Sequence, residues 1–157
     1  MNKIVAIVGM AGSGKSIASS YFNNKGYNLV YFGGVIYEKM KEEGIEITPE
    51  SQKEFREKIR KEHGMGVVAK LLLPKIKKLY SEGNVILDGL YSWDEYKILK
   101  EEFKDLVVIA IVCDKKLRYD RISKRKERAF NKEEIIRRDV TEIENSAKGG
   151  PIAYADY

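Results

Sequence analysis

Gly9-Met10-Ala11-Gly12-Ser13-Gly14-Lys15-Ser16 fits the pattern G-x-x-x-x-G-K-[ST] at every fixed position. Each residue type has a chemical reason to stand where it does. The glycines let the backbone take positive φ and bring its N–H groups close to phosphate oxygens. The lysine reaches the β- and γ-phosphates of a nucleoside triphosphate, and the hydroxyl after it ligates Mg²⁺. The expected nucleotide contacts are therefore Gly9, Ala11, Gly12, Ser13, Gly14, Lys15 and Ser16, with ATP and Mg²⁺ as cofactors. A glycine-rich turn would meet all four fixed positions by chance only rarely.

A triphosphate site also needs a carboxylate to hold the metal through its waters. The apolar run Val85-Ile86-Leu87 ends in Asp88-Gly89. That puts Asp88 at the carboxyl end of a strand, where ligands bind in open α/β sheets. By itself an Asp-Gly pair is a common turn. Beside a phosphate-binding loop it reads as a metal carboxylate or as a base, and the two roles stay open.

Eight basic residues lie between Asp114 and Arg128: Lys115, Lys116, Arg118, Arg121, Lys124, Arg125, Lys126 and Arg128. The four arginines are spaced 3, 4 and 3 apart. On one continuous helix they would fall within roughly 80° of arc. A guanidinium binds two phosphate oxygens at once. This segment is therefore expected to supply a lid, with Arg121 on the nucleotide and Arg125 and Arg128 on the transferring phosphate. Arg137 and Arg138 approach from the next helix. The same patch admits two other readings, a solvated charged face and a nucleic-acid surface. The latter lacks any binding motif or interleaved exposed aromatics.

These side chains need elements to hold them. Short, nearly continuous apolar runs at 4–8, 28–32, 85–87 and 106–112 suit strands buried on both faces of a parallel sheet. Helical patterns fall at 15–24, 49–63, 65–80, 93–103, 115–128 and 132–147. Thr48 is the expected N-cap before Pro49. Strand–helix alternation implies an α/β fold. The helical stretch 36–81 is long for a crossover and reads as an inserted lobe.

Composition sets the outer bounds. The chain of 157 residues fits one domain, and 43% hydrophobic residues suffice for a core. One cysteine, Cys113, excludes a disulfide scaffold and reads as a small core residue. The single histidine, His63, excludes a multi-histidine metal site and reads as a helix end before Gly64. No run approaches the ~18 apolar residues of a membrane span. The segment before Gly9 is too short for a secretory signal, so a cytoplasmic protein is expected. A total of 29 Lys and Arg against 24 Asp and Glu gives +5. That excess suits a phosphorylated small molecule as well as a polyanion.

The segments Ile4 to Ser16, HGMGVVAKLLLP (63–74), VILDGLYS (85–92), 117–128, the Arg138-Asp139 pair and AYADY (153–157) together resemble the P-loop nucleotide kinases. Within that group the chain is similar to dephospho-CoA kinase and adenylate-kinase-like proteins, above all to a largely archaeal adenylate-kinase-like branch. The resemblance implies a three-layer α/β/α P-loop NTPase fold spanning 1–157 as a single domain. It also implies strand order 2-3-1-4-5, a helical acceptor-binding insertion at about 34–82 and a lid at about 118–138. The fifth strand, which relatives continue and follow with a helix, is expected to be truncated at Tyr157. Two positions depart from the group. Gly33 and Gly34 stand where an acceptor-binding Asp is common, and Tyr91 stands where an Arg often grips an acceptor phosphate. Arg56 and Arg60 offer a replacement, against a solvated face shared with Glu54, Glu57 and Lys61.

The expected activity is transfer of the γ-phosphoryl of Mg-ATP to a nucleotide or nucleotide-like acceptor, of nucleoside monophosphate or dephospho-CoA type. Lys15, Asp88, Arg125 and Arg128 are the catalytic candidates, and Ser16 and Asp88 hold the metal. The alternative is an ATP-binding regulatory or switch ATPase without a small-molecule acceptor. A GTPase is disfavoured by the lack of an [NT]-K-x-D motif. Oligomeric state is not legible.

Overall fold

The computed structural model describes residues 1–125 and 130–157. Four strands, β1 (Ile4–Val8), β2 (Asn28–Tyr31), β3 (Val85–Asp88) and β4 (Val107–Ala110), form a parallel sheet in the order β2-β3-β1-β4. The register sets Ile7 of β1 opposite Asp88 on one side and Ile109 on the other, and Tyr31 opposite Asp88. All four carboxyl ends therefore open on one edge. Asp156 N–H donates to the Val108 carbonyl at 2.8 Å, and Ala110 N–H donates to the Tyr157 carbonyl at 2.7 Å. The last residues thus lie beside β4 without forming a strand, so the observed order is the four-stranded part of 2-3-1-4-5 and a fifth strand is not formed among the described residues.

The helices are α1 (Lys15–Asn24), α2 (Phe32–Glu42), α3 (Pro49–His63), α4 (Val67–Glu82), α5 (Trp93–Glu102), α6 (Lys115–Ser123), α7 (Lys132–Ser146) and the short α8 (Gly149–Ala153). They cover the sheet on both faces, because strand side chains alternate. Ile4, Ala6 and Val8 join Leu87 and Val108 beneath Met40 of α2, Ile76 of α4 and Leu99 of α5. Val5, Ile7 and Ile86 face the other way, against Ala18 and Phe22 of α1. β1 is buried along its whole length, as a central strand between two helical layers must be.

Helix starts follow local chemistry. Thr48 caps α3, Ser92 caps α5 and Asn131 caps α7, each through a reciprocal capping box. In α5 the box is buried: Glu95 Oε2 accepts from the N–H groups of Tyr91 at 2.9 Å and Ser92 at 3.0 Å.

Among the boundaries that differ from the sequence expectation, three have a readable cause. β2 ends at Tyr31, and Phe32 opens α2 with no loop between them. Phe32 is buried in the core, so its apolarity serves a helix start as well as a strand end. β4 stops at Ala110, and Val112, apolar in sequence, is exposed. α6 stops at Ser123 rather than running to 128. Its last buried residue is Ile122, and Ser123, Lys124 and Arg125 after it are polar and exposed, with nothing to seat a further turn on the core.

Leu99 is fully buried where α5 meets the sheet. Leu99→Ala is expected to destabilise the fold by roughly 2–5 kcal/mol through lost burial and a cavity. Urea unfolding would show this as a lower midpoint at unchanged slope.

Candidate functional site

The phosphate loop is held from behind by α6. At Gly9, with φ of 149°, a Cβ would lie 2.5 Å from the Ile111 carbonyl oxygen. At Gly12, with φ of 78°, it would lie 2.8 Å from the Arg118 carbonyl oxygen. No side chain fits at either point. The loop carbonyls are then engaged one by one. Arg118 Nη1 donates to Ala11 O at 2.8 Å, and Arg121 Nη1 donates to Gly12 O at 3.3 Å. Lys15 Nζ donates to Met10 O at 3.0 Å. With its carbonyls occupied in this way, the loop has its amides to offer an anion. The Ser13 hydroxyl is buried and without a partner, a donor suited to a phosphate oxygen.

Arg118 also forms a two-point ion pair with Asp139 of α7, at 3.2 and 2.6 Å, with both side chains buried. Asp139 raises the pKa of the guanidinium by hydrogen bonding. The four arginines expected to share one helix face are thus divided. Arg118 is a buried brace and Arg121 reaches the loop and Cys113 Sγ, at 3.4 Å. Arg125 lies exposed beyond the end of α6, and Arg128 falls outside the described residues.

Asp88 stands at the end of β3, next to β1. Burial raises its pKa, while the Ser19 hydroxyl and the Lys15 ammonium oppose the rise. Ser16 and Ser19 are three residues apart on α1 and share a face, so Ser16 at the solvent-exposed first turn lies on the Asp88 side. These groups fit a Mg²⁺ held by one hydroxyl, one carboxylate and the phosphates of a nucleotide. No group of three or more His, Cys, Asp or Glu is gathered among the described residues.

Of a second set of charges beside Lys15, the sequence pointed to Arg138 but not to Glu142 or Lys148. Glu142 of α7 accepts from Arg138 Nε at 3.1 Å and from Lys148 Nζ. Lys148 is buried and stands 4.9 Å over the ring of Tyr91. Burial lowers the pKa of Lys148. The Arg138–Glu142 pair was readable as an i, i+4 spacing. Lys148, in a Lys-Gly-Gly turn, carried no periodic signal. Burial chiefly, then the nearby Lys148, lowers the Lys15 pKa from 10.5 to about 8, against the pull of Glu142 and Asp88. Cys113 is half-buried, and His63 ends α3 in solvent. Tyr154 is exposed and packs edge-on against Trp93.

This sheet, its order and the glycine loop at the end of β1 define an α/β protein of the P-loop class. A sugar kinase from Janibacter sp. HTCC2649 superposes with a TM-score of 0.56 at 13% identity, over 92% of this chain and 79% of that one. A gluconokinase from Sinorhizobium meliloti gives 0.51 at 16% identity, over 99% and 94%. A family model described as an AAA domain, AAA_18, matches residues 5–143. A UPF0200 protein of Sulfurisphaera tokodaii is 38% identical over 99% of this chain and 85% of its own length. One from Pyrococcus furiosus is 38% identical over 98% and 85%. The chain belongs to the UPF0200 family and carries the AAA_18 domain.

Removing one partner of the Arg118–Asp139 pair leaves a buried charge uncompensated. Arg118→Ala is expected to cost about 3–5 kcal/mol, whereas Arg118→Met with Asp139→Leu should recover most of it. Chemical denaturation of the single and double variants would show the difference. The depressed Lys15 pKa gives a second expectation. Between about pH 8 and 10.5 the folded protein releases a proton that the unfolded chain keeps. Stability from this group therefore rises with pH across that window, its burial cost being fully present below it. Comparing unfolding free energies of wild type and Lys15→Met from pH 7 to 10 should show a steeper rise in the wild type, the buried Lys148 contributing to both.

Proposed function

We propose that the protein is an Mg-ATP-dependent phosphotransferase that moves the γ-phosphoryl group to a nucleotide or nucleotide-like small molecule. One observation carries this reading: the phosphate loop, Lys15 and Asp88 stand together at the carboxyl edge of a kinase-like sheet. In such a site the loop amides and Lys15 bind the β- and γ-phosphates. Bound Mg²⁺, held by Ser16 and Asp88, would neutralise charge on the phosphate oxygens. Arg118 and Arg121 act on the loop, keeping its carbonyls turned to themselves. Arg138 and Lys148 add positive charge beside Lys15, and Arg125 and Arg128 are proposed to close over the transferring group. Most of the catalysis is positioning and electrostatic stabilisation, which suits a site rich in fixed cations.

The kinase neighbours support a small-molecule acceptor, since their names place them among sugar and gluconate kinases. The altered acceptor positions, Gly33, Gly34 and Tyr91, are what favours the other reading, an ATPase switch without an acceptor. Coupled ADP release with nucleoside monophosphates, nucleosides and dephospho-CoA, beside a control without acceptor, separates the two. Acceptor-dependent release supports the kinase, and release indifferent to every acceptor overturns it.

Lys15→Ala is expected to lower turnover by ~10²-fold or more, since it removes a charged contact to the transferring group. Arg125→Ala and Arg128→Ala should lower kcat strongly while the ATP Kd moves only a few-fold, the mark of contacts made in the transition state. Full turnover in Lys15→Ala would refute the assignment of the loop, and full turnover in both arginine variants that of the lid.

A further inference from the structure

Arg56 and Arg60 lie one turn apart on α3, between its buried residues Gln52, Phe55 and Ile59 and its solvated side. On that solvated side Lys53 pairs with Glu57 at 4.0 Å, both largely exposed. The two arginines have no such partner. Neither forms an ion pair within 4.0 Å among the described residues, and Arg60 Nε is buried without a hydrogen-bond acceptor. Arg56 is open to solvent, yet the surrounding protein and the charge of Arg60 lower its pKa. Arg56 is thus open to solvent on one side and crowded by protein and a like charge on the other.

The groups opposite do not neutralise the pair. The charge of Arg60 acts on the buried carboxylate of Glu95. Its Oε2 is occupied by the Tyr91 and Ser92 amides, and its Oε1 makes no hydrogen bond. Tyr91 and Tyr37 are close enough to act on the Arg56 charge, and Arg138 acts on it as a further like charge. Tyr91 follows Asp88 by three residues and also carries Lys148 on its ring. Arg56, Arg60 and Lys148 thus gather around Tyr91, and neither arginine has an ion-pair partner within 4.0 Å among the described residues.

We infer that Arg56 and Arg60 form the docking site for a phosphate monoester on the acceptor, beside Tyr91. This rests on the phosphotransferase reading above. Two planar guanidinium forks present more parallel donors than one carboxylate can accept, whereas a phosphate monoester offers three terminal oxygens and up to two charges. The site also accounts for Tyr91 at the position where the nucleotide kinases it resembles often carry an acceptor-gripping arginine. The grip comes instead from α3, beside Tyr91.

The test is equilibrium titration of the full chain, with the phosphate loop saturated by Mg²⁺ and a non-hydrolysable ATP analogue. The probes are adenosine 5′-monophosphate, ribose 5-phosphate, inorganic phosphate and adenosine. At least one phosphate-bearing probe should bind, and adenosine should bind roughly tenfold or more weakly. The pattern among the three phosphates tells a nucleotide from a sugar phosphate or the free ion. Arg56→Ala and Arg60→Ala should each weaken the phosphate probe by about tenfold or more, with Arg60→Lys in between. Lys53→Ala on the solvated side should change nothing, and affinity for the ATP analogue should hold within about threefold in all. Arg56 is exposed, so its variant keeps the test sound if Arg60→Ala fails to fold. Unchanged phosphate binding in Arg56→Ala, or binding of adenosine alone, overturns the inference. The titration needs no turnover and so stands if the phosphotransferase reading falls. Phosphoryl transfer to a neutral acceptor, unaffected by Arg56→Ala, would keep that reading and remove this one.

Discussion

Arg118 holds the site in shape. Its guanidinium is buried, bonded at once to the Ala11 carbonyl and to both oxygens of Asp139. Through it the phosphate loop, α6 and α7 become one piece. A buried pair of this kind adds little net stability over apolar packing, because desolvating two charges offsets their attraction. What it adds here is placement. Its backbone carbonyl sits where a side chain at Gly12 would be, and its side chain fixes the orientation of the neighbouring peptide. Ile122 and Ile135 close the same junction with apolar contacts around Ala11.

From that brace outward the site is a problem of excess charge. Lys15, Arg138 and Lys148 crowd together, with Glu142 shared between the last two and Asp88 on the far side. The arrangement leaves Lys15 less basic than a free lysine. A protein meant only for stability would gain by removing such a cation. A protein that receives a polyanionic ligand has a use for it, because the ligand's charge restores what desolvation took away.

The sheet and the loop were legible in the sequence because both rest on local signals. Apolar runs such as Ile4 to Val8 have no reading but a buried strand, and the glycine spacing from Gly9 to Ser16 has no common structural substitute. α3 could be read to the residue, since Thr48, Pro49 and Gly64 mark its ends chemically. What stayed hidden depends on separation along the chain. Arg118 and Asp139 are 21 residues apart, and nothing in either neighbourhood announces the pair. The spacing of the basic residues suggested one long helix through 128. Charge spacing is weak information when no apolar face accompanies it, and α6 ends one residue after Ile122. Lys148 was overlooked because buried lysines are rare and a Lys-Gly-Gly turn reads as solvent.

The direct passage from β2 into α2 has a mechanical consequence. With Phe32 in the core and no intervening loop, α2 is anchored rigidly to the sheet edge. α4 is likewise held along its length by Val68, Leu72 and Ile76. Between them α3 is joined by the connections at 43–48 and 64–66, reaches the core through Phe55 and Ile59 and accepts a hydrogen bond from Tyr37 of α2 at Gln52. It is a strut of fifteen residues, about 22 Å long. Arg56 and Arg60 stand one turn apart on that strut, so the helix sets their spacing and any displacement of α3 carries the two guanidinium groups as a pair.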